Sequence, residues 1–398
     1  MPLFISSTAI AQQKPNIIIL LADDAGYNDF GFMGSSEMHT PNIDRLAEMG
    51  VRLTDAHVTS TVCSPSRAGI MSGRYQQRFG HECNGLKGLD GMDTTETTLA
   101  MALQENGYAT AAFGKWHLGA APQFHPNKRG FDYFYGFLAG SRHYFPDQND
   151  DQPGDSHAIQ ENGTYTKFNG YLTDVLGDKT IEFIRKNKEK PFFIYLAYNA
   201  VHTPMRAPEE DLKRFEGNPR QMLAAMTWAL DRSIGNVLDE LKNEKLLDNT
   251  LIFFLSDNEG TTPHNTSSNY PLKGFKGNEY EGGKRVPFVV FWGNKIKGAR
   301  EFNGLVSSLD IFATSLDAAG IKQSPGKALD GISLLPYLKG KKEGPPHTEL
   351  YWRKDQDGAA RDGNYKLIHV NKLGYRLYDL KNDLGETHDL QRTDTVQF

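Results

Sequence analysis

Two pairs of adjacent oxygen donors, Asp23-Asp24 and Asp257-Asn258, each follow closely on a continuous apolar run. Asn16 to Ala22 reads N-I-I-I-L-L-A, and Leu251 to Leu255 reads L-I-F-F-L. Adjacent like charges are unfavourable unless a cation or a proton neutralises them. Three carboxylates and an amide suit a hard divalent ion, Ca²⁺ or Mg²⁺, rather than zinc. Taken singly, Asp-Asp also reads as a solvated loop start. Basic groups recur in the same positions along the chain. Lys115 and His117 lie in G-K-W-H-L-G, His202 follows P-F-F-I-Y-L-A-Y, and Lys276 shortly precedes E-G-G-K-R-V-P. Lysine offers a point charge to an anionic oxygen, and histidine exchanges protons near neutral pH. Cys63-Ser64-Pro65-Ser66-Arg67 adds a thiol with an arginine one helical turn away, close enough to reach back. Ser64 and Ser66 suit helix capping.

A Cys followed by Pro two residues later and Arg two beyond that resembles the signature of type I sulfatases, formylglycine-dependent enzymes of the alkaline phosphatase superfamily. The G-K-W-H-L-G, E-G-G-K-R-V-P and C-terminal L-Y-D-L-K-N-D-L-G-E segments are similar to the same family. The chain resembles its bacterial polysaccharide sulfatases in particular. The resemblance implies that Cys63 is oxidised to formylglycine by a formylglycine-generating enzyme. The hydrated aldehyde offers one hydroxyl to attack sulfur and a second to expel sulfate. It implies Ca²⁺ held by Asp23, Asp24, Asp257 and Asn258, with residue 63 also at the ion. It gives Arg67 the formylglycine hydroxyl and Lys115 and Lys276 the sulfate oxygens. His117 becomes the base that releases sulfate, and His202 the acid that protonates the leaving alcohol. Two departures stand out. Glu259 replaces a usual Gly, and its carboxylate either adds charge near the ion or faces solvent. The stretch L-K-G-F-K-G (Leu272–Gly277) has Lys273 and Phe275 where the family has Arg and Gly in L-R-G-G-K-G, so Lys273 rivals Lys276.

These residues need a scaffold that brings distant segments together. Apolar runs at Asn16–Ala22, Ala109–Phe113, Pro191–Tyr198, Leu251–Leu255 and Val286–Phe291 read as strands buried on both faces. A further strand is expected over Val51–Val58. Helical periodicity marks Thr40–Gly50, Ala68–Met71, Thr98–Asn106, Leu172–Ile184 and Leu223–Leu241. Alternation of the two predicts an α/β fold, a large mostly parallel sheet flanked by helices. Ligands of such sheets gather beyond the carboxyl ends of the strands, and Asp23-Asp24, Lys115 with His117, His202 and Asp257-Asn258 all sit just after predicted strands. From Gly344-Pro345-Pro346 the pattern changes to short antiparallel strands (Thr348–Arg353, Tyr365–Val370, Tyr375–Leu380). The expected organisation is a tail over 1–14, a catalytic domain over 15–343 and a small C-terminal β subdomain over 344–398.

The 398 residues carry 49 acids against 44 Lys plus Arg, a net charge of −5 that argues against nucleic-acid binding. No apolar run approaches the ~20 residues of a membrane helix. Leu3 to Ala11 reads as a shortened secretion signal or as a tail, and the former implies a periplasmic or secreted protein. After the aromatic stretch Phe131–Phe137, the loop Gly140–Phe145 should lie near the pocket. Ser141, Arg142 and His143, with Arg206, then either bind hydroxyls or a second sulfate of a sulfated sugar or serve as ordinary surface groups. The expected substrate is a sulfated oligosaccharide or polysaccharide, algal galactans such as carrageenan ahead of glycosaminoglycans. The rivals are a phosphonate or phosphate monoester hydrolase of the same superfamily and an inactive glycan-binding relative.

Overall fold

The computed structural model describes residues 14–84, 91–322 and 327–391. The Leu3–Ala11 segment lies outside them. Asn16–Ala22 forms β1, and every one of its residues is buried. Ile17, Ile19 and Leu21 enter one hydrophobic core, while Ile18, Leu20 and Ala22 enter another. That split is the period-two geometry of a strand covered on both faces. Along the chain follow β2 (Val51–Leu53), β3 (Ala56–His57), β4 (Ala109–Lys115), β5 (Tyr133–Phe137), β6 (Gln160–Glu161), β7 (Thr164–Tyr165), β8 (Phe192–Ala197), β9 (Thr250–Ser256), β10 (Phe288–Phe291), β11 (Arg300–Phe302) and β12 (Val306–Ser307). Ten strands form the main sheet in the order β11-β2-β10-β9-β1-β8-β4-β5-β6-β7. Its centre, β9-β1-β8-β4-β5, is parallel.

Helices α1 (Pro41–Met49), α4 (Leu172–Asn187) and α6 (Gln221–Asn243) cover the face of Ile18 and Leu20; α2 (Cys63–Ser72) and α3 (Leu99–Gln104) cover the other. A short helix α5 (Glu209–Arg214) packs beside α6. Most strands and helices fall where the apolar pattern places them. The stretch expected as one strand over 51–58 is divided: β3 leaves the main sheet and pairs with β12. The run at 286–291 shortens to β10 and lies antiparallel to β9 and β2. Helix α2 begins at Cys63 itself rather than at Ala68, and all ten of its residues are buried. Pro65 falls in its first turn, where a missing N–H has no helical partner to lose.

The C-terminal sheet has four antiparallel strands, β13 (Glu349–Lys354), β14 (Asp357–Asp362), β15 (Tyr365–Val370) and β16 (Gly374–Asp379). The sequence pattern reveals three of them. Strand β14 reads D-G-A-A-R-D, with no β-branched or aromatic residue, and is held by hydrogen-bonded neighbours on both sides. The sheet is joined to the main body through buried charges. Arg361 makes a two-pronged pair with Asp55 at 2.7 and 2.8 Å, and Lys366 lies 2.8 Å from Glu281 and 2.9 Å from Glu386. Lys366 and Glu281 are wholly buried. We expect Lys366→Met to lower unfolding stability by about 3–5 kcal/mol, because Glu281 and Glu386 would lose their shared cation. Chemical denaturation at neutral pH checks this.

Candidate active site

Four strand ends build the site. The turn after β1 carries Asp23 and Asp24, Lys115 is the last residue of β4, the loop after β8 carries His202, and the turn after β9 carries Asp257 and Asn258. Helix α2 presents Cys63 from its first turn. The Cys63 Sγ lies 3.7 Å from Asp23 Oδ1 and 4.0 Å from Asp24 Oδ1. Asp24 is in the left-handed region at φ 60°, where Asp is tolerated among non-glycine residues. Its carbonyl accepts from Asn265 Nδ2 at 3.1 Å.

Cations surround the carboxylates. Lys115 Nζ donates to Asp23 Oδ2 at 2.6 Å, and Lys276 Nζ donates to Asp24 Oδ1 at 2.6 Å. Arg67 Nε donates to Asp257 Oδ2 at 2.7 Å, and its Nη2 lies 3.7 Å from Asp23. Burial alone would raise the Asp23 carboxyl, but Lys115, His202 and Arg67 outweigh it and hold it below the usual range. Burial works against the charge of Lys276, yet Cys63, Asp24, Asp23 and Asp257 hold its ammonium above the ordinary lysine value. Burial pushes the Cys63 thiol up to about 12, so an unmodified thiol here is protonated at neutral pH.

The oxygens of Asp23 and Asp24 suit a hard divalent cation, although the group brought together here also holds a thiol and an imidazole and leaves out Asp257. Ligand atoms of Asp23, Asp24, Cys63 and His202 lie within 4.8 Å of one another, about twice the Ca–O distance of roughly 2.4 Å. Asp24 Oδ2 and Asn258 Oδ1 are buried without a hydrogen-bond partner. Orphaned oxygens of this kind are what an ion would satisfy.

Both histidines flank this cluster. His202 Nε2 lies 3.5 Å from Asp24 Oδ2, while its Nδ1 lies 2.5 Å from the Thr203 carbonyl and so carries a proton. His117 has a positive φ of 56° and a buried, unpartnered Nδ1. Burial, then Lys115, Arg67 and Lys276, depress it well below the usual histidine range and keep it neutral.

Several expectations are refined. Lys273 donates to the Glu386 carbonyl at 2.9 Å and sits over the Tyr280 ring, so it leaves the cluster to Lys276. Glu259 neither faces solvent nor joins the donors. It is fully buried, its Oε2 accepts from the Tyr27 N–H at 2.7 Å, and burial raises its carboxyl well above the usual range. Arg142 is corrected from a substrate-binding group to a structural one. Its guanidinium is buried and held by Asp151 and the carbonyls of His143 and His157. Ser141 and His143 are half-buried, and His143 Nδ1 lies 2.9 Å from Asp150. A Cβ on neighbouring Gly140 would meet His117 Nε2 at 2.6 Å, and the Tyr144 hydroxyl lies 2.8 Å from the His202 carbonyl. That loop therefore runs from His117 to His202. Arg206 is exposed.

Sequence reasoning gave Ser64 no part beyond capping and missed His81. The Ser64 hydroxyl donates to the His117 carbonyl at 2.6 Å and lies 2.7 Å from His81 Nε2, which must then supply the proton. Arg67 Nη1 likewise donates to the Lys115 carbonyl at 2.8 Å. Helix α2 thus fixes the Lys115–His117 segment as well as presenting Cys63. The serine stood in view within the pentapeptide; nothing in the sequence marks His81.

A family model described as Sulfatase matches residues 15–321, and one described as N-sulphoglucosamine sulphohydrolase, C-terminal, matches residues 275–397. The chain belongs to the sulfatase family and is an enzyme of that class. It is 33% identical over 394 residues to "Uncharacterized sulfatase YdeN" of Escherichia coli (strain K12), covering 85% of this chain and 68% of that protein. It is 33% identical over 383 residues to N-acetylgalactosamine-6-sulfatase of Homo sapiens, covering 89% of this chain and 72% of that protein. Among solved structures, Ps i-CgsB in complex with k-i-k-neocarrahexaose superposes with a TM-score of 0.90 at 38% identity, covering 97% of this chain and 90% of that one.

Proposed function

We propose that this sulfatase releases inorganic sulfate from a sulfated carbohydrate, with Cys63 carried as formylglycine and Ca²⁺ held by Asp23, Asp24, Asp257 and Asn258. The observation that carries the reading is the approach of the Cys63 sulfur to Asp23 and Asp24 inside a ring of three cations. A protonated, buried thiol is a poor nucleophile, whereas a hydrated aldehyde at the same place would supply the attacking oxygen, its charge offset by the ion. Asp23, Asp24 and Asp257 face Lys115, Lys276 and Arg67, so these residues alone balance. A divalent ion added to a balanced cluster leaves net positive charge, which suits an anionic ester.

This chain's own groups then divide the work. Lys115, Lys276 and Arg67 neutralise sulfuryl oxygens. His202 in its doubly protonated form, with Nδ1–H on the Thr203 carbonyl and a second proton on Nε2, protonates the departing alcohol and is left neutral; alkoxides leave poorly, so this matters for a sugar sulfate. Neutral His117 accepts the proton whose removal frees sulfate. One preorganised donor of this type contributes about 3–4 kcal/mol to lowering the barrier. Lys115→Ala is therefore expected to reduce turnover by roughly 10²-fold or more, with sulfate release by ion chromatography as the check. Turnover equal to the parent would remove Lys115 from the site.

The Cys63–Arg67 segment is buried in the fold, so a formylglycine-generating enzyme would meet it before folding is complete. Likeness to Ps i-CgsB, solved with k-i-k-neocarrahexaose, supports a polysaccharide substrate, and on it we rank sulfated galactans ahead of glycosaminoglycans. Ser141, His143 and Arg206 would contact sugar hydroxyls or a neighbouring sulfate. A polysaccharide substrate fits a periplasmic or secreted enzyme, and among the described residues no helix is long and apolar enough to cross a membrane. Defined sulfated galactan and chondroitin oligosaccharides, compared for released sulfate, test the substrate class. Release from neither would overturn it.

A further inference from the structure

The turn that delivers Lys276 also exposes an aromatic ring. Residues 275–278 form a tight turn: Asn278 N donates to the Phe275 carbonyl at 2.9 Å, and Phe275 N donates to Asn278 Oδ1 at 3.1 Å. Gly277 takes φ 87°, as the third residue of such a turn requires. Lys276 turns inward to Asp24, whereas Phe275 is 38% exposed and has no aromatic or cationic partner among the described residues. Their Cα atoms are only about 3.8 Å apart. Tyr270, in the same loop, is 73% exposed.

Slack in the chain does not account for the exposed ring. Lys276 N donates to the Gly260 carbonyl at 3.2 Å, and Gly277 N to the Thr61 carbonyl at 2.9 Å. Lys354 Nζ, from β13, holds the Gly277 carbonyl at 2.7 Å. The Asn269 amide donates to the carbonyls of Gly274 and Gly282 at 3.1 and 3.0 Å. A large apolar side chain on a braced turn beside a charged site presents a rigid surface with little conformational entropy to lose on contact. Position 275 is also one where L-K-G-F-K-G departs from the L-R-G-G-K-G pattern that it otherwise resembles. The chemistry of sulfate transfer therefore does not demand a ring here.

We propose that Phe275 is a substrate-specificity residue: its ring packs against the apolar C–H face of a pyranose in the sulfated chain, next to the sugar whose ester reaches Lys276. This rests on the carbohydrate-sulfatase reading above. Lys276 anchors the anionic group, and Phe275 selects substrates that continue as a sugar chain over a bare aryl ester.

The test uses the full chain with Cys63→Ala, which binds without turning over. Calorimetric titration with k-i-k-neocarrahexaose and with a chondroitin 6-sulfate hexasaccharide identifies which is bound. Adding Phe275→Ala should weaken that ligand roughly tenfold, and Phe275→Trp should retain it. In parallel, with Cys63 intact, Phe275→Ala should leave kcat/KM for 4-nitrophenyl sulfate within about twofold. Unchanged hexasaccharide affinity in Phe275→Ala would overturn the proposal. Equal losses for hexasaccharide and aryl sulfate would too, because the effect would then pass through Lys276. Binding of neither hexasaccharide, with aryl sulfate still hydrolysed, would reject a sugar platform. Failure of the carbohydrate-sulfatase reading would look different: with Phe275 in place, a chain shown by mass to carry formylglycine would release sulfate from neither hexasaccharide.

Discussion

Cys63→Ala is expected to abolish sulfate release, by at least roughly 10⁴-fold, the scale on which deleting an attacking group acts. The fold should survive. Cys63 contributes a small side chain to a helix whose other contacts, Arg67 to Asp257 and to the Lys115 carbonyl, are untouched. Circular dichroism and thermal unfolding close to the parent would separate lost chemistry from lost structure. The same loss should follow when the unaltered chain is made in a host without formylglycine-generating activity. The thiol stays protonated near neutral pH, burial having raised it to about 12. Residual activity in proportion to thiol rather than aldehyde content would count against the account.

The second large effect is expected on removal of the proposed divalent ion. Chelation should lower turnover by roughly 10³-fold or more, since a cation of this kind supplies several kcal/mol of charge stabilisation. The protein should nevertheless stay folded, because Lys115, Lys276 and Arg67 already pair with Asp23, Asp24 and Asp257. Added Ca²⁺ should restore activity and raise the unfolding free energy by about 2.7 kcal/mol at a hundredfold excess over its Kd. Mg²⁺ should restore less, because its tighter octahedral demand suits a crowded protein cage poorly. Full activity in a chelated protein shown to be metal-free by elemental analysis would exclude the ion from the chemistry.

How much of this was legible in the sequence depended on the kind of signal. Strands β1, β8 and β9 are continuous apolar runs, and the donors that follow them are named by their neighbours in the chain. Strand β14 was missed because D-G-A-A-R-D carries no pattern of its own; pairing with β13 and β15 makes it a strand. That Lys276 rather than Lys273 reaches the carboxylates likewise turns on distant partners, the Glu386 carbonyl for Lys273 and Asp24 for Lys276. Arg142 looked like a pocket residue because it lies in the right loop, yet Asp151 and two backbone carbonyls claim its guanidinium. Motif spacing identifies which residue types a site needs. It says nothing of long-range partners, so the His81–Ser64 contact behind His117 had no trace in the sequence.

The most direct test is a crystal structure of the natively matured protein grown with Ca²⁺, with the difference density around residue 63 as the measurement. The account predicts a single strong peak bridging Asp23, Asp24, Asp257 and Asn258, with oxygen rather than sulfur on the residue 63 side chain beside it. An enzyme that releases sulfate while showing an intact thiol at that position, or no ion among those four residues, would contradict it.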